Sequence, residues 1–271
     1  MLFLALVLDL KKLGVLRPCE GNLKPRLFRL PKDKALVVNY GLCNEGAEVV
    51  CKRLKKKDIP IGISIAKTND KQIKGNDSVE DYYKSYQTVK EVADYITINI
   101  SCPNSGDGGS FEDPQLLEKL LSKIKIEKPV FLKISPDIDK KNLDKILNLS
   151  KKYKITGFVV ANLTHDKSLL RSENSFTGGI SGPCLKEKSD ALIKYIYKKT
   201  KGKFVIIGVG GIFNAEDVYR KIRNGASLVQ LITGMIYEGP SLIKDINKGI
   251  VKLLEKDGFK NIQEAIGVDV K

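Results

Sequence analysis

The chain has 271 residues, enough for one large domain with a substantial apolar core. Lys and Arg number 47 against 32 Asp and Glu, and the formal net charge of +15 suits an acidic substrate or an anionic partner. Because the basic residues are scattered, mostly on predicted helix faces, we interpret them as solvated surface and expect no nucleic-acid partner. Five cysteines without a CxxC pair indicate a reducing cytosol and argue against a metal site.

The first residues are apolar, but no stretch of the chain approaches the ~20 apolar residues that cross a bilayer. We therefore expect no transmembrane segment. Residues 2–8 form a short apolar run with no basic region before it and no clear small-residue cleavage site after it. This pattern predicts a buried strand, or the remnant of one, in preference to a signal peptide.

From residue 59 onward, short apolar runs alternate with segments whose apolar residues recur at helical spacing. Strands are predicted at residues 59–66, 95–101, 129–135, 156–162, 204–209 and 228–232. Helices are predicted around residues 79–89, 114–124, 143–147, 192–197, 214–225 and 242–254. Asp113 followed by Pro114, and Asn214 further on, are typical of helix starts.

Six strand–helix units in a row predict a parallel sheet covered by helices. A closed (β/α)8 TIM barrel has eight such units, and residues 1–58 do not have the pattern of the two that are missing. We therefore predict a TIM barrel that is incomplete at its N-terminal units, in a single domain over residues 1–271 with an atypical segment at 1–20. A doubly wound sheet is the alternative fold.

An unusual set of polar residues ends the second predicted strand. Alternation of side chains puts Asn99 on the face opposite the isoleucines, and Cys102, Pro103 and Asn104 follow directly. The thiol can transfer a proton, and the two amides can bind a polar planar ligand. A buried cysteine beside a turn and a turn-forming asparagine are the structural alternatives. Because parallel α/β folds place their chemistry at the carboxyl ends of strands, the sequence indicates a site here.

The next two strands also carry polar residues near their ends. Lys133 lies within the apolar run of the third strand, where a lysine needs an anionic or hydrogen-bonding partner. Asn162 ends the fourth strand and adds a further amide. A salt-bridged lysine and a strand-terminating asparagine are the alternatives. Their position near strand ends favours a role in ligand binding.

Glycines follow the last two predicted strands. Gly210 and Gly211 come after the fifth strand, and Thr233 and Gly234 come after the sixth. Loops at these places in a TIM barrel commonly bind phosphate through backbone N–H groups, and Gly182 offers a third backbone approach. The sequence lacks the G-x-G-x-x-G fingerprint, so a Rossmann-type dinucleotide site is not favoured. Ordinary glycine turns are the alternative for each segment.

Several segments together resemble dihydroorotate dehydrogenases, which are FMN enzymes of pyrimidine synthesis with a TIM-barrel fold. The likeness runs from about residue 14 to the end, and its most specific segments are residues 21–30, 99–104, 177–182, 207–211 and 225–230. The first of these is similar to the membrane-associated, quinone-using class 2 enzymes. The resemblance implies FMN, dihydroorotate and a quinone as ligands, and a cytoplasmic or peripheral inner-membrane location.

The same resemblance implies roles for individual residues. Cys102 matches the general base that removes the C5 proton of dihydroorotate, as in class 1 enzymes, whereas class 2 enzymes usually have serine. Asn99, Asn104 and Asn162 match substrate-binding amides, and Asn99 also matches a flavin contact. Lys133 matches a flavin-contacting lysine. The remaining implied flavin contacts are Gly182, Gly211 and Thr233, beside Gly210 and Gly234 from the glycine pattern.

The chain departs from the family pattern at several places. The glycine-rich FMN loop of the first barrel strand is not found, and apolar residues stand at three polar positions of the family: Val38, Leu163 and Ile232. These departures leave open the alternative that the chain forms an incomplete and inactive barrel. A tRNA-dihydrouridine synthase is a third hypothesis, since it too has a cysteine before proline, although that family usually has glycine where this chain has Ser101.

Overall fold

The computed structural model describes residues 15–54, 60–101, 111–173 and 175–270. The predicted strand at residues 2–8 lies outside this part of the chain. The strands of the described part are β1 (Leu27–Leu30), β2 (Ala35–Val38), β3 (Gly62–Ile65), β4 (Tyr95–Asn99), β5 (Val130–Ile134), β6 (Gly157–Val160), β7 (Gly179–Ser181), β8 (Val205–Val209) and β9 (Leu228–Gln230).

The helices of the described part mostly follow the parallel strands and lie between them in sequence. They are α1 (Ala47–Arg53), α2 (Gly75–Val89), α3 (Pro114–Lys123), α4 (Lys140–Lys152), α5 (Lys186–Thr200), α6 (Ala215–Arg223), α7 (Thr233–Glu238), α8 (Leu242–Lys256) and α9 (Ile262–Ala265). The predicted caps are confirmed: the side chain of Asp113 accepts the Gln115 N–H at the start of α3, and Asn214 accepts the Asp217 N–H at the start of α6.

The six predicted strands form one parallel sheet. Its order is β3-β4-β5-β6-β8-β9, so each strand pairs with the next parallel strand along the chain. This consecutive order is that of a (β/α)8 barrel and excludes a doubly wound sheet, in which the order reverses. Among the described residues the parallel sheet has two strands fewer than a closed barrel.

The main core lies between the sheet and the helices outside it. Ile96 and Ile98 of β4 and the following Ile100 are buried against α2 and α3, as their alternation predicts. Each such side chain contributes about 1.5–3 kcal/mol relative to an exposed one. The opposite face of β4 carries Thr97 and Asn99, so the register that buries the isoleucines also directs Asn99 to the inside of the curved sheet.

A second sheet, not predicted from the sequence, covers the carboxyl ends of the parallel strands. Strands β1 and β2 form an antiparallel hairpin, and β7 pairs antiparallel with β2. The turn of the hairpin has Lys34 in the left-handed region (φ 47°), where glycine or asparagine is the usual signal. This lid of β1, β2 and β7 closes one side of a cavity at the same end of the sheet.

Candidate active site

The predicted site residues converge on one cavity of about 280 Å³ at the carboxyl ends of the parallel strands. Leu36 and Val38 of β2 and Ser181 of β7 line its outer side. Ligand-binding residues of α/β barrels lie at this end, because the strand ends and the following loops meet there. Seven predicted residues line the cavity: Lys133, Asn162, Gly182, Gly210, Gly211, Thr233 and Gly234.

Asn99, Ser101 and Asn162 form a hydrogen-bonded cluster between the ends of β4 and β6. The Oδ1 atom of Asn99 accepts from Ser101 Oγ at 3.2 Å and from Asn162 Nδ2 at 3.3 Å. Asn162 Nδ2 also lies 3.0 Å from Ser101 Oγ, and Asn162 Oδ1 accepts the Leu163 N–H at 3.0 Å. Both side-chain groups of Asn162 therefore have a fixed orientation at the cavity wall, and Asn99 lies behind it.

Tyr82 of α2 supports the same cluster from outside the sheet. Its hydroxyl donates to the Asn99 carbonyl oxygen at 2.7 Å, and its ring contacts Phe111 at 4.5 Å between centroids. The helical stripe of the sequence predicts Tyr82 as a core residue, and it is buried. Its polar end also holds the tip of β4, a function that periodicity does not reveal.

Lys133 lies on the inner face of β5, in register with Asn99 on β4 and Val159 on β6. It is half-buried and lines the same cavity as Asn162 and Val209. A cation at the edge of a largely apolar cavity favours a ligand with anionic or electron-rich atoms. This position agrees with the ligand-binding hypothesis for Lys133.

The Gly210–Gly211 turn presents backbone donors at the other side of the cavity. Both residues have positive φ (106° and 69°), and a Cβ at Gly211 would lie 2.6 Å from the Lys186 Cα. Glycine is therefore required at 211 for both backbone conformation and packing. Within the described part of the chain, neither the Gly210 nor the Gly211 N–H has an acceptor. These donors suit an anion.

Gly182, Thr233 and Gly234 border the same side. A Cβ at Gly182 would approach the Ala35 Cα to 2.9 Å, and a Cβ at Gly234 would approach the Ile212 carbonyl oxygen to 2.1 Å. These two glycines thus allow close packing of the lid and of α7. Thr233 Oγ1 forms a 2.7 Å hydrogen bond with Ser181 Oγ, which joins the start of α7 to the lid.

Asp137 joins the loops that follow β5 and β6. No pattern in the sequence predicts this role for Asp137. Its carboxylate accepts from Thr164 Oγ1 at 2.7 Å, from the His165 N–H at 2.9 Å and from Lys188 Nζ at 2.6 Å. Burial alone would raise the pKa of Asp137, but these donors hold the pKa below its usual range. The network, which we call the Asp137 clasp, fixes the loop that begins at Asn162.

The cavity mouth is apolar. Leu27, Ile232 and Ile236 are 38%, 51% and 37% exposed there. Val38 and Leu163, two of the apolar departures noted in the sequence, line the cavity wall. Such exposed apolar side chains around an opening are typical of a surface that contacts an apolar ligand.

Cys102 and Asn104 lie outside the described residues, so their predicted roles stay predictions. The described residues contain no group of three or more His, Cys, Asp or Glu side chains placed to hold a metal ion. None of the helices in the described ranges has the length and apolar character needed to cross a membrane.

Known proteins match this chain over most of its length. The family model for dihydroorotate dehydrogenase matches residues 11–254. The chain belongs to the dihydroorotate dehydrogenase family. The resemblance of its glycine and asparagine segments to this family is thereby confirmed, and the match does not support the tRNA-dihydrouridine synthase hypothesis.

Curated relatives named dihydroorotate dehydrogenase (quinone) include those of Nostoc punctiforme and Sulfurovum. The first is 37% identical over 270 residues, with 93% of this chain and 71% of the relative covered. The second is 42% identical over 260 residues, with 94% and 73% covered. The solved structure of ligand-free dihydroorotate dehydrogenase from Eimeria tenella has a TM-score of 0.85 at 29% identity, covering 94% of this chain and 80% of that one. The TIM-barrel fold is confirmed.

Proposed function

We propose that the chain oxidises dihydroorotate to orotate in pyrimidine nucleotide synthesis, with FMN as hydride acceptor and a quinone as the final oxidant. One observation carries the proposal: Lys133, the Asn162 amide and the Gly210–Gly211 donors converge on one cavity at the carboxyl end of the barrel. Membership of the dihydroorotate dehydrogenase family supports it.

The residues present fit FMN. The Gly210 and Gly211 N–H groups have no acceptor in the described part of the chain and are suited to its phosphate. Lys133, half-buried on the inner face of β5, suits the electron-rich isoalloxazine ring. When bound, FMN would supply the hydride-accepting chemistry that side chains lack. The packing contacts of Gly182 and the Thr233 hydroxyl would position the lid beside it.

The amide side chains would hold the substrate. Asn162 has its orientation set by Asn99 and Ser101, and a fixed amide can match the imide and carboxylate atoms of a planar ligand. Asn104 is proposed to act with them. Cys102 is proposed as the base, because a thiol with a pKa near ~8.5 loses a proton far more readily than a serine hydroxyl.

The oxidant is proposed from two observations. The relatives described above are named as quinone-dependent enzymes, and the cavity mouth carries the exposed apolar residues Leu27, Ile232 and Ile236. An apolar mouth can admit a quinone ring without burying unpaired polar groups. A peripheral position at a membrane surface would bring such an acceptor within reach.

The test is oxidation of dihydroorotate by the purified, FMN-supplied protein with a short-chain ubiquinone as acceptor. The expected result is orotate formation that depends on FMN and on the quinone. Folded, FMN-loaded protein that forms no orotate with quinone, fumarate or NAD⁺ would contradict the proposed reaction. Turnover with fumarate or NAD⁺ alone would contradict only the quinone.

A further inference from the structure

The buried side chain of Lys221 lies behind the part of the cavity formed by Gly210 and Gly211, and it has no part in the function proposed above. It is 0% exposed and extends from α6. Its Nζ lies 2.7 Å from Asp190 Oδ1 and 3.0 Å from Ser189 Oγ. Arg220 Nε pairs with the other oxygen of Asp190 at 2.6 Å. The charge of Lys221 is therefore balanced, which a buried ammonium group requires.

This pairing fixes the direction of the Ser189 hydroxyl. An ammonium group can only donate hydrogen bonds, so Ser189 Oγ must accept from Lys221. The hydroxyl proton is then left for a carbonyl oxygen, and Ser189 Oγ lies 2.6 Å from the Val209 oxygen and 3.3 Å from the Val160 oxygen. Ser189 thus donates to the carbonyl that ends β8.

The Val209 carbonyl in turn sets the direction of the Gly210 N–H. The two groups belong to one planar peptide unit, and in a trans peptide they point in opposite directions. Val209 O faces Ser189 on α5 and also accepts the Ala161 N–H at 3.1 Å. The Gly210 N–H consequently points away from Ser189 and toward the end of β9, where Gln230 is in register with Val209 and lines the same cavity. No described residue accepts from this N–H.

We propose that Ser189 and Lys221 are positioning residues that hold the Gly210 amide toward a phosphate group in the cavity. Neither side chain lines the cavity. Both act through the Val209–Gly210 peptide, and neither side chain contacts the ligand. The inference rests on the proposed FMN site, and it assigns to these two residues the preference for FMN over riboflavin, which is the same molecule without the phosphate.

The experiment measures the dissociation constants of FMN and riboflavin by quenching of flavin fluorescence. In the unsubstituted protein FMN should bind more tightly than riboflavin. In Ser189→Ala the FMN dissociation constant should rise about fivefold, the effect of misdirecting one hydrogen bond of ordinary strength. The riboflavin dissociation constant should change less than twofold. Lys221→Met should act in the same direction.

The matched control is Ser150→Ala. Ser150 is also a fully buried serine that donates to a backbone carbonyl, that of Ile146 at 2.8 Å, but it lies within α4 away from the cavity. Ser150→Ala should leave the dissociation constants of FMN and riboflavin unchanged. If Lys221→Met does not fold, Ser189→Ala decides the test.

The inference would be overturned by an unchanged preference for FMN in folded Ser189→Ala, or by equal weakening of both flavins. Absence of any FMN preference in the unsubstituted protein would also overturn it. The proposed reaction is judged separately, by reduction of bound FMN on addition of dihydroorotate. Protein that shows the Ser189-dependent FMN preference but is not reduced by dihydroorotate would contradict the reaction and leave the phosphate site in place.

Discussion

The two sides of the cavity use different parts of the chain. At the ends of β4, β5 and β6 the cavity is built from side chains, namely Asn162 and Lys133 with Asn99 behind them. At the ends of β7, β8 and β9 it is built mainly from glycines and backbone N–H groups. We call these the amide side and the glycine side. The amide side can discriminate a substrate by its functional groups, whereas the glycine side can recognise any anion that fits its turn.

The difference determines how each side can be disrupted. A side-chain deletion removes the chemistry of the amide side and leaves its backbone intact. At the glycines of the glycine side no side chain can be deleted, so these positions are tested by an added Cβ or by a change behind the backbone.

The largest effect is expected at Cys102, which we assign to the amide side from the sequence. Cys102→Ala should slow reduction of bound FMN by dihydroorotate by about 10²-fold or more, because general-base catalysis is lost. Cys102→Ser should keep a measurable rate. Stopped-flow absorbance of the flavin gives both rates. An alanine variant as fast as the unsubstituted protein would remove Cys102 from the role of base.

On the glycine side, Gly211→Ala should cost about 2–3 kcal/mol of the free energy of unfolding, since it combines positive φ with a steric clash. FMN binding should be lost or strongly weakened. Urea unfolding and flavin fluorescence measure the two effects.

Gly258→Ala is the matched control. Its φ of 77° is close to the 69° of Gly211, but nothing lies within 4 Å of an added Cβ. It should cost about 1 kcal/mol from backbone strain alone and leave FMN binding intact. Equal losses at the two positions would show that the close approach to Lys186 does not matter.

Asn162→Ala should separate the two sides. Orotate affinity should fall about tenfold, the cost of removing an oriented amide from a polar ligand, while FMN affinity should change less than twofold. Titration of the FMN-loaded variant with orotate, followed by the flavin spectrum, measures the first quantity. If Asn162→Ala weakens FMN and orotate alike, the division into an amide side and a glycine side is wrong.

The smallest effect is expected from the Asp137 clasp. Asp137→Asn should lower the free energy of unfolding by about 1 kcal/mol at pH 7, since charge-assisted hydrogen bonds to Thr164 and Lys188 are weakened. The pKa of Asp137 is lowered in the folded protein from an ordinary value of 3.8. Its contribution is therefore fully present above that value and is lost as pH falls through the lowered pKa.

The check on the clasp is urea unfolding of the unsubstituted protein and Asp137→Asn at pH 7 and pH 3. The difference between them should shrink at the lower pH. A difference that is constant with pH would mean that the Asp137 charge does not stabilise the loop.

The sequence predicts the parallel sheet well because each strand is a distinct apolar run. The alternation of Ile96, Ile98 and Ile100 also predicts correctly that Asn99 faces inward. The β1–β2 hairpin escapes prediction because its strands are short and its turn lacks a glycine signal at Lys34. Loop partners such as Asp137 and Thr164 are brought together only by the fold, and no periodicity marks them.

Buried lysines show a further limit of prediction from the sequence. We interpreted the scattered basic residues as solvated surface, and this is wrong for Lys221 and Lys67, which are 0% and 4% exposed. Lys67 donates to the carbonyl oxygens of Asp70 and Ile73, and Lys221 pairs with Asp190. The partner that makes a buried lysine tolerable lies on another element or turn, so helical or strand spacing alone cannot identify it.

The most direct test of the account is a crystal structure of the protein with FMN and orotate. The FMN phosphate should lie within hydrogen-bond distance of the Gly210 and Gly211 N–H groups, and orotate should lie within hydrogen-bond distance of Asn162 on the amide side. Flavin bound elsewhere, or bound here with its phosphate on the amide side, would contradict it.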